Sequence, residues 1–264
     1  MTLHSPTRRR RTALALGGAL AVALAVTLGI TRPWLPPAET APVAAAENGV
    51  SPVALTLPDD PEVLVFGDSW TYGSAATVPT NGYAYRLARL IPGDTVVRGV
   101  RGSGYQRPGL DGPDFLTRVA ELESWIDPDL IILQGSINDR LSDAAAYPAA
   151  VNAVWDAVVA RYPDVPIVIL GPAPHELPVG ASTARIDRDL ADLAATRGWR
   201  YISPVQEEWI TEANYLQLID VGAGRKHPSD AGHAYLAERV AAALERFRTA
   251  PVTAADEVKP KPAK

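Results

Sequence analysis

The stretch VFGDSWTYG, residues 65 to 73, ends an apolar strand and begins a turn that glycines flank on both sides. Ser69 lies on that turn, directly after the strand. A serine hydroxyl in such a position can act as a nucleophile when a base lies beside it. The stretch therefore predicts a reactive hydroxyl at the carboxyl end of a buried strand.

Three further groups follow Ser69 in order along the chain. Gly102 lies in a glycine turn, Asn138 follows a second buried strand, and His227 precedes a proline near the last helical segment. In acyl transfer an imidazole takes the serine proton, and hydrogen-bond donors stabilise the oxyanion that forms. We predict Ser69 as the nucleophile and His227 as the base. The predicted oxyanion donors are the amides of Ser69 and Gly102 and the side chain of Asn138.

Short apolar runs alternate with helical patterns through the body of the chain. The predicted strands are Glu62–Phe66, Asp94–Val97, Leu130–Gln134, Val165–Leu170 and, more weakly, Tyr201–Ile202. Helical spacing of apolar residues extends over 115–126 and, most clearly, over 236–247. Alternation of this kind predicts a parallel sheet with helices on both faces. Ligands bind beyond the carboxyl ends of such strands, where all four chemical groups are expected.

Four blocks of sequence, in this order, resemble the SGNH hydrolases, also called the GDSL esterase/lipase family, over residues 60–248. The blocks are GDSWTYG with Ser69, VVRGVRGSGYQ with Gly102, LQGSINDR with Asn138 and KHPSDAGHAYLAERV with His227. Gly104 is a competing match for the oxyanion glycine of the second block. The third block is one residue longer between glycine and asparagine than the commonest form.

The resemblance implies an α/β fold: a three-layer sandwich with a central, mostly parallel five-stranded sheet of the flavodoxin-like SGNH type. It also implies a serine hydrolase that acts on ester bonds through an acyl-enzyme on Ser69, with no metal or organic cofactor. The substrate would be a lipid, glycan or small molecule that carries an ester or O-acetyl group. A related variant is an O-acyltransferase, in which a sugar hydroxyl rather than water accepts the acyl group.

One position departs from the family pattern. The aspartate that usually lies three residues before the catalytic histidine is replaced here by Gly224. Loss of the acid in such a triad can slow the reaction about 10⁴-fold, because the imidazole is left in the wrong tautomer or orientation. Three alternatives stay open: Asp220 orients the ring as a tentative acid, a backbone carbonyl does so, or the enzyme is slow or inactive. The third alternative favours a catalytically weakened binding module for cell-envelope glycan or lipid.

Other residues near the blocks are expected to support the site. Trp70, Tyr72 and Tyr105 flank it and are predicted to form an apolar or sugar-stacking wall. Asp68 and Asp139 are expected to brace the turns through local hydrogen bonds.

Composition narrows the classes of function further. The absence of cysteine excludes disulfides, thiolate metal sites and a cysteine nucleophile, and no His/Glu pair has zinc-site spacing. Residues 1–46 carry five arginines and one glutamate, a net charge of +4, whereas the whole chain carries −5. The remainder therefore carries −9. Such an acidic body argues against nucleic acid as a partner, because phosphate binding needs a basic face.

The chain is predicted to consist of five segments. They are a cytoplasmic basic segment (1–12), a transmembrane anchor or signal sequence (13–31), a Pro/Ala-rich linker (32–58), the SGNH hydrolase domain (59–248) and a disordered tail (249–264). Arginines before an apolar run are typical of export, because they stay cytoplasmic while the run inserts. The run either remains as an anchor or is removed at the small-residue pattern over 44–46. We therefore expect an enzyme outside the cytoplasm, anchored to the membrane or secreted. A separate expectation is that the enzyme is a monomer.

Overall fold

The computed structural model describes residues 54–248. The predicted hydrolase domain, 59–248, falls within this range. The predicted segments 1–12, 13–31 and 249–264, and most of the linker 32–58, lie outside the described residues. Between residues 54 and 248, no helix is both long enough and apolar enough to cross a membrane.

Five strands form the central sheet. They are β1 (Glu62–Gly67), β2 (Asp94–Gly99), β3 (Leu130–Gln134), β4 (Ile167–Leu170) and β5 (Arg200–Ile202). Their order is β2-β1-β3-β4-β5, and every neighbouring pair is parallel. This order confirms the predicted flavodoxin-like α/β fold and places the topological switch point between β1 and β3. Ser69 follows β1 and Asn138 follows β3, so both lie beside the switch point.

Side chains of the central strands alternate between two cores, one on each face of the sheet. In β1, Val63 and Val65 belong to one core, whereas Leu64 and Phe66 belong to the other. All residues of β3 are buried, which explains the continuous apolar run in this part of the sequence. The sheet is therefore the middle layer of a three-layer sandwich, as predicted.

Helices cover both faces of the sheet. Within the described range the α-helices are α1 (Ser69–Tyr72), α2 (Tyr83–Leu87), α3 (Phe115–Ala120), α4 (Tyr147–Arg161), α5 (Ala181–Thr196), α6 (Tyr215–Leu218) and α7 (Asp230–Arg248). Helices α2 and α7 pack in the core that contains Val65. Helices α3, α4 and α5 pack in the core that contains Phe66. Two short 3₁₀ helices, Pro79–Asn81 and Ile137–Leu141, complete the set.

Two elements are shorter than the sequence pattern predicted. Helix α3 ends at Ala120, although Leu122 and Ile126 still reach the core from the turns that follow. Strand β4 begins at Ile167 rather than at Val165, since Pro166 has no N–H to donate to the sheet. In both places the apolar pattern predicted burial correctly but not the extent of the element.

A small antiparallel pair precedes the last helix. Strands β6 (Ile219–Asp220) and β7 (His227–Pro228) pair so that Asp220 lies opposite His227. Directly after β7, Ser229 Oγ accepts a hydrogen bond from the Gly232 amide (3.1 Å) at the start of α7. This hairpin positions the late part of the chain against the carboxyl end of β1.

Candidate active site

Ser69 is the first residue of α1, at the carboxyl end of β1. Asp68 caps that helix by accepting a hydrogen bond from the Trp70 amide (2.9 Å). Ser69 Oγ lies 2.9 Å from Nε2 of His227, a residue 158 positions away in the sequence. The structure therefore brings the predicted nucleophile and base within the distance that proton transfer requires.

The second ring nitrogen of His227 is bound by the backbone. Nδ1 lies 2.7 Å from the carbonyl oxygen of Gly224. Because a carbonyl oxygen can only accept, Nδ1 carries the proton and Nε2 presents its lone pair to Ser69. This is the tautomer that a general base requires, and it corresponds to the backbone-carbonyl alternative of the sequence analysis.

Asp220, the tentative orienting acid, does not hold the imidazole. Its Oδ1 instead accepts a hydrogen bond from the Gly222 amide (2.8 Å), while Gly224 satisfies Nδ1 of the ring. A Cβ at position 224 would lie 2.6 Å from Cβ and 2.7 Å from Cγ of Asp220. The Asp220 side chain thus occupies the space that a side chain at 224 would need, which explains the glycine there.

The two candidate oxyanion glycines differ in what their amides do. Gly102 has a φ of 77°, a left-handed conformation that glycine adopts without strain. Its N–H has no acceptor among residues 54–248. The Gly104 amide, in contrast, donates to the carbonyl of Arg107 (2.9 Å). This difference favours Gly102 as the donor.

Asn138 is oriented by the loop that follows β2. Its Nδ2 donates to the carbonyl of Ser103 (2.9 Å), which also accepts a hydrogen bond from Ser136 Oγ (2.9 Å). The same Nδ2 lies 3.4 Å from Oδ2 of Asp68, a long contact. One N–H of Asn138 is therefore weakly bonded and available to a stronger acceptor near Ser69.

Two fully buried carboxylates lie beneath these donors. Burial raises the pKa of Asp68 to about 7, because the charged form loses its hydration. Asp139 accepts hydrogen bonds from the amides of Tyr105 (2.8 Å) and Gln106 (3.1 Å), and burial raises its pKa as well. Both carboxylates brace turns, the role the sequence predicted.

Arg118 is a supporting residue that the sequence analysis missed. Its guanidinium donates to the carbonyls of Gly67 (2.9 Å) and Arg98 (2.6 Å) and to Ser103 Oγ (2.9 Å). The group also lies 4.2 Å from the ring centroid of Phe66. Arg118 thus joins the ends of β1 and β2 to the loop that orients Asn138. A charged residue on the otherwise apolar face of the predicted 115–126 helix was the signal that could have identified it.

The predicted aromatic wall is mostly absent from the site. Trp70 and Tyr105 are each only 4% exposed and belong to the two cores on opposite faces of the sheet. The Tyr105 hydroxyl accepts a hydrogen bond from Nε1 of Trp155 (3.1 Å), which accounts for its burial. Only Tyr72 of the three lines the cleft.

The candidate groups share one open cleft of about 920 Å³. Ser69, Gly102, Asn138 and His227 all line it. Its walls also include the arginines at 101, 107, 140 and 225. Within residues 54–248, no three His, Asp or Glu side chains are grouped so that they could hold a metal ion.

The amino-acid sequence is similar to those of known lipases and acylhydrolases. The family described as GDSL-like lipase/acylhydrolase matches residues 65–235. A GDSL lipase of Mycobacterium tuberculosis is 27% identical over 194 residues, which cover 68% of this chain and 79% of that protein.

Solved structures share the fold. The native aryl esterase of M. smegmatis is 15% identical to this chain, with a TM-score of 0.55. The match covers 70% of this chain and 99% of the esterase chain. A salicylyl-acyltransferase from a tetracycline biosynthetic pathway has a TM-score of 0.54 at 19% identity, with 72% of this chain and 56% of that chain covered. At these identities the likeness concerns the arrangement of sheet and helices.

Proposed function

Because this chain belongs to the GDSL-like lipase/acylhydrolase family and is an ester-hydrolysing serine enzyme, we propose that it works through an acyl-enzyme on Ser69. One observation carries the proposal. Ser69 Oγ lies 2.9 Å from the unprotonated Nε2 of His227, whose Nδ1 proton is held by the Gly224 carbonyl.

In the proposed reaction Ser69 Oγ attacks the ester carbonyl while Nε2 of His227 takes the hydroxyl proton. The Nδ1 proton stays bonded to the Gly224 carbonyl, so the ring keeps its orientation as it becomes an imidazolium. The oxyanion accepts hydrogen bonds from the Ser69 and Gly102 amides and from Asn138 Nδ2. Nε2 then gives its proton to the alcohol oxygen as the C–O bond breaks, which leaves the acyl group on Ser69.

Water, activated by the same Nε2, completes the cycle by releasing the acid. A sugar hydroxyl in place of water would make the protein an O-acyltransferase, and the acyltransferase among the structural neighbours supports this second candidate. Excess glucose added to the esterase assay distinguishes hydrolysis from acyl transfer. A transferase yields an acylated sugar that mass spectrometry detects, whereas a hydrolase releases only the free acid.

The carbonyl of Gly224 weakens the case for a catalytically weakened binding module for cell-envelope glycan or lipid. That alternative depended on the missing aspartate, and the carbonyl supplies the partner that Nδ1 needs.

The proposed setting is outside the cytoplasm, with the enzyme acting as a monomer on an ester or O-acetyl group. Support comes from the sequence: four consecutive arginines, 8–11, precede the apolar run 13–30. The proposal includes attachment to the membrane through this segment unless it is cleaved. Membrane fractionation of the full chain beside a chain that lacks residues 1–31 tests it, and equal distribution of both in the cytoplasm would refute it.

The catalytic proposal is tested with p-nitrophenyl acetate. Ser69→Ala should lower kcat/KM at least about a thousandfold, because the acyl-enzyme cannot form. A fluorophosphonate probe should add its mass to the wild-type chain at Ser69 and not to the variant.

Ser124→Ala is the matched control, since Ser124 is exposed in the turns after α3. It should retain wild-type rates and labelling. Equal rates for wild type and Ser69→Ala would reject the acyl-enzyme on Ser69.

A further inference from the structure

The cleft around Ser69 is rich in arginine, although the protein as a whole is acidic. The chain carries a net charge of −5, and residues 47–264 carry −9. Four arginines nevertheless line the cleft: Arg101, Arg107, Arg140 and Arg225. Asp220 is the single carboxylate among the residues described as lining it. The local charge thus has the opposite sign to that of the body.

One of the four arginines is already neutralised. Arg101 forms a two-point ion pair with Asp111, in which Nε to Oδ2 measures 2.6 Å and Nη2 to Oδ1 measures 2.8 Å. Its guanidinium also lies 5.4 Å from the ring centroid of Tyr72. Arg101 is therefore a packing element of the cleft wall and offers little net charge.

The other three have no carboxylate within 4 Å anywhere in residues 54–248. Arg140 Nη1 donates to the carbonyl of Ile137 (3.2 Å), and Arg107 Nη1 lies 3.5 Å from the carbonyl of Asn138. These contacts place two guanidinium groups beside the candidate oxyanion residue. Arg225 lies in the loop between β6 and β7, two residues before the base, and lines the same cleft.

The acidic groups of this region are engaged elsewhere. Glu176 forms an ion pair with Lys226 (2.7 Å), and Asp220 accepts from the Gly222 amide. Asp139, whose charge acts on Arg107, is buried and bonded to two backbone amides. None of them forms an ion pair within 4 Å with Arg107, Arg140 or Arg225.

Like charges held together in a concave site repel one another, and a bound anion relieves that repulsion. A guanidinium also binds carboxylate, sulfate or phosphate through paired hydrogen bonds. We propose that the ester substrate is itself an anion, whose carboxylate, sulfate or phosphate binds to Arg107, Arg140 and Arg225 while its ester carbonyl faces Ser69. The inference rests on the esterase function proposed above.

Two matched pairs of esters test the proposal and locate the charge. The first pair carries it in the alcohol part: the acetyl ester of p-hydroxybenzoate is compared with that of methyl p-hydroxybenzoate. The second pair carries it in the acyl part: p-nitrophenyl glutarate is compared with p-nitrophenyl pentanoate. After subtraction of the Ser69→Ala rate, kcat/KM should favour the anion about tenfold or more in one pair at low ionic strength. Added salt should reduce that preference.

Substitution of the arginines assigns the preference to them. Arg107→Gln, Arg140→Gln and Arg225→Gln should each lower the anion-to-neutral ratio of kcat/KM about three- to tenfold. Arg140→Lys keeps the charge and should retain part of the ratio. The matched control is Arg89→Gln, an exposed arginine between α2 and β2 that does not line the cleft, and it should keep the full ratio. Thermal unfolding of each variant establishes that it is folded.

The possible results separate this inference from the function it rests on. Ser69-dependent turnover with equal kcat/KM within both pairs would overturn the inference and leave the esterase proposal standing. Lack of Ser69-dependent turnover of all four esters would overturn the esterase proposal and the inference with it. A preference that survives in all three glutamine variants would reject the assignment to these arginines.

Discussion

In a catalytic triad the carboxylate fixes the tautomer of the histidine and stabilises the imidazolium that forms. In this site a backbone carbonyl performs the first of these two tasks. The Gly224 oxygen fixes the tautomer of His227 through its 2.7 Å contact with Nδ1, as a carboxylate would. It carries only a partial charge, however, so it stabilises the imidazolium less than a carboxylate does. The base is therefore oriented by loop geometry rather than by an ion pair.

This arrangement predicts that the carboxylate of Asp220 matters little for catalysis. Asp220→Asn is expected to change kcat/KM for p-nitrophenyl acetate by less than about threefold, because Oδ1 is bonded to the Gly222 amide and not to the imidazole. Steady-state kinetics of the purified variant provide the measurement.

Gly224→Ala serves as the contrasting variant. Its new Cβ would lie 2.6 Å from Cβ of both Ala75 and Asp220, so the loop must move and take the carbonyl away from Nδ1. A loss of at least about a hundredfold is expected. If Asp220→Asn instead loses about 10⁴ in rate, Asp220 is the third member of the triad and the carbonyl is not.

For individual residues, the sequence motifs predicted the polar groups better than their aromatic neighbours. The side chains of Ser69 and His227 meet, as the order of the blocks required. Trp70 directly follows Ser69 on α1, and successive helical residues point about 100° apart, so its ring turns into the core. Tyr105 is buried because its hydroxyl has a partner on α4, which no local pattern reveals. Proximity in sequence to a motif therefore does not tell which side chains line a cleft.

Among the secondary-structure elements, α3 contributes a structural clamp rather than a site residue. Arg118 bridges the carboxyl end of β1, through Gly67, and that of β2, through Arg98. It also donates to Ser103 Oγ, in the residue whose carbonyl orients Asn138. Burial lowers the pKa of Arg118 to about 10, so the group still carries its charge at neutral pH.

Arg118→Met is therefore expected to affect both stability and turnover. It leaves buried carbonyl groups with one bond fewer, which should lower the free energy of unfolding by about 2–4 kcal/mol. Since Ser103 then has more freedom, kcat should fall more than KM rises. Urea unfolding and steady-state kinetics measure the two effects.

Arg118→Lys is the informative control, since one ammonium group cannot span three separate acceptors. It should show an intermediate loss of stability. Wild-type stability and kcat in Arg118→Met would contradict the proposed clamp.

Elements with a full apolar pattern were predictable, and short elements were not. The five strands and α7 follow from continuous or periodic apolar residues. Strands β6 and β7 contain two residues each, too few for any period, yet they position His227. Strand β7 packs against α1 and α7, and this is a tertiary constraint that the local sequence does not contain.

At the scale of the whole domain, two buried titratable groups affect stability in opposite directions. The pKa of Asp68 is about 7 instead of 3.8, so stability that this group contributes is lost as the pH rises through that interval. His233 accepts from the Tyr83 amide and donates to the Ser74 carbonyl, and burial lowers its pKa from 6.5 to about 4. Its contribution is lost as the pH falls through that interval. The free energy of unfolding therefore falls with rising pH because of Asp68 and rises because of His233, and the two effects oppose each other over most of the interval between about pH 4 and pH 7.

Asp68→Asn should reveal the contribution of His233. The amide oxygen can still cap the Trp70 amide, but the side chain no longer titrates. The free energy of unfolding of the variant is therefore expected to rise by about 2 kcal/mol between about pH 5 and pH 7, while that of the wild type stays nearly constant. Urea unfolding over a pH series is the measurement.

His233→Asn is the mirror variant, whose stability should fall over the same range because only the Asp68 slope remains. Parallel profiles of Asp68→Asn and wild type would mean that Asp68 titrates as an ordinary carboxylate in the folded protein.

The net charge of the chain does not reveal how positive and negative side chains are distributed over the folded surface. The value of −9 for residues 47–264 argued against nucleic acid, yet it gave no hint of a basic cleft. Arg107 follows β2, Arg140 lies in the 3₁₀ helix after β3, and Arg225 lies between β6 and β7, so three separate segments meet at the cleft. Such a cluster becomes visible only once the order of the strands is known.

The distance along the chain between nucleophile and base has a consequence for biosynthesis. All five strands of the sheet have been synthesised once Ile202 is added, whereas His227 and the Gly224 carbonyl that orients its ring come later in the chain. A chain that ends between Ile202 and Lys226 therefore has all five strands but lacks the base, and we expect it to show no Ser69-dependent esterase activity.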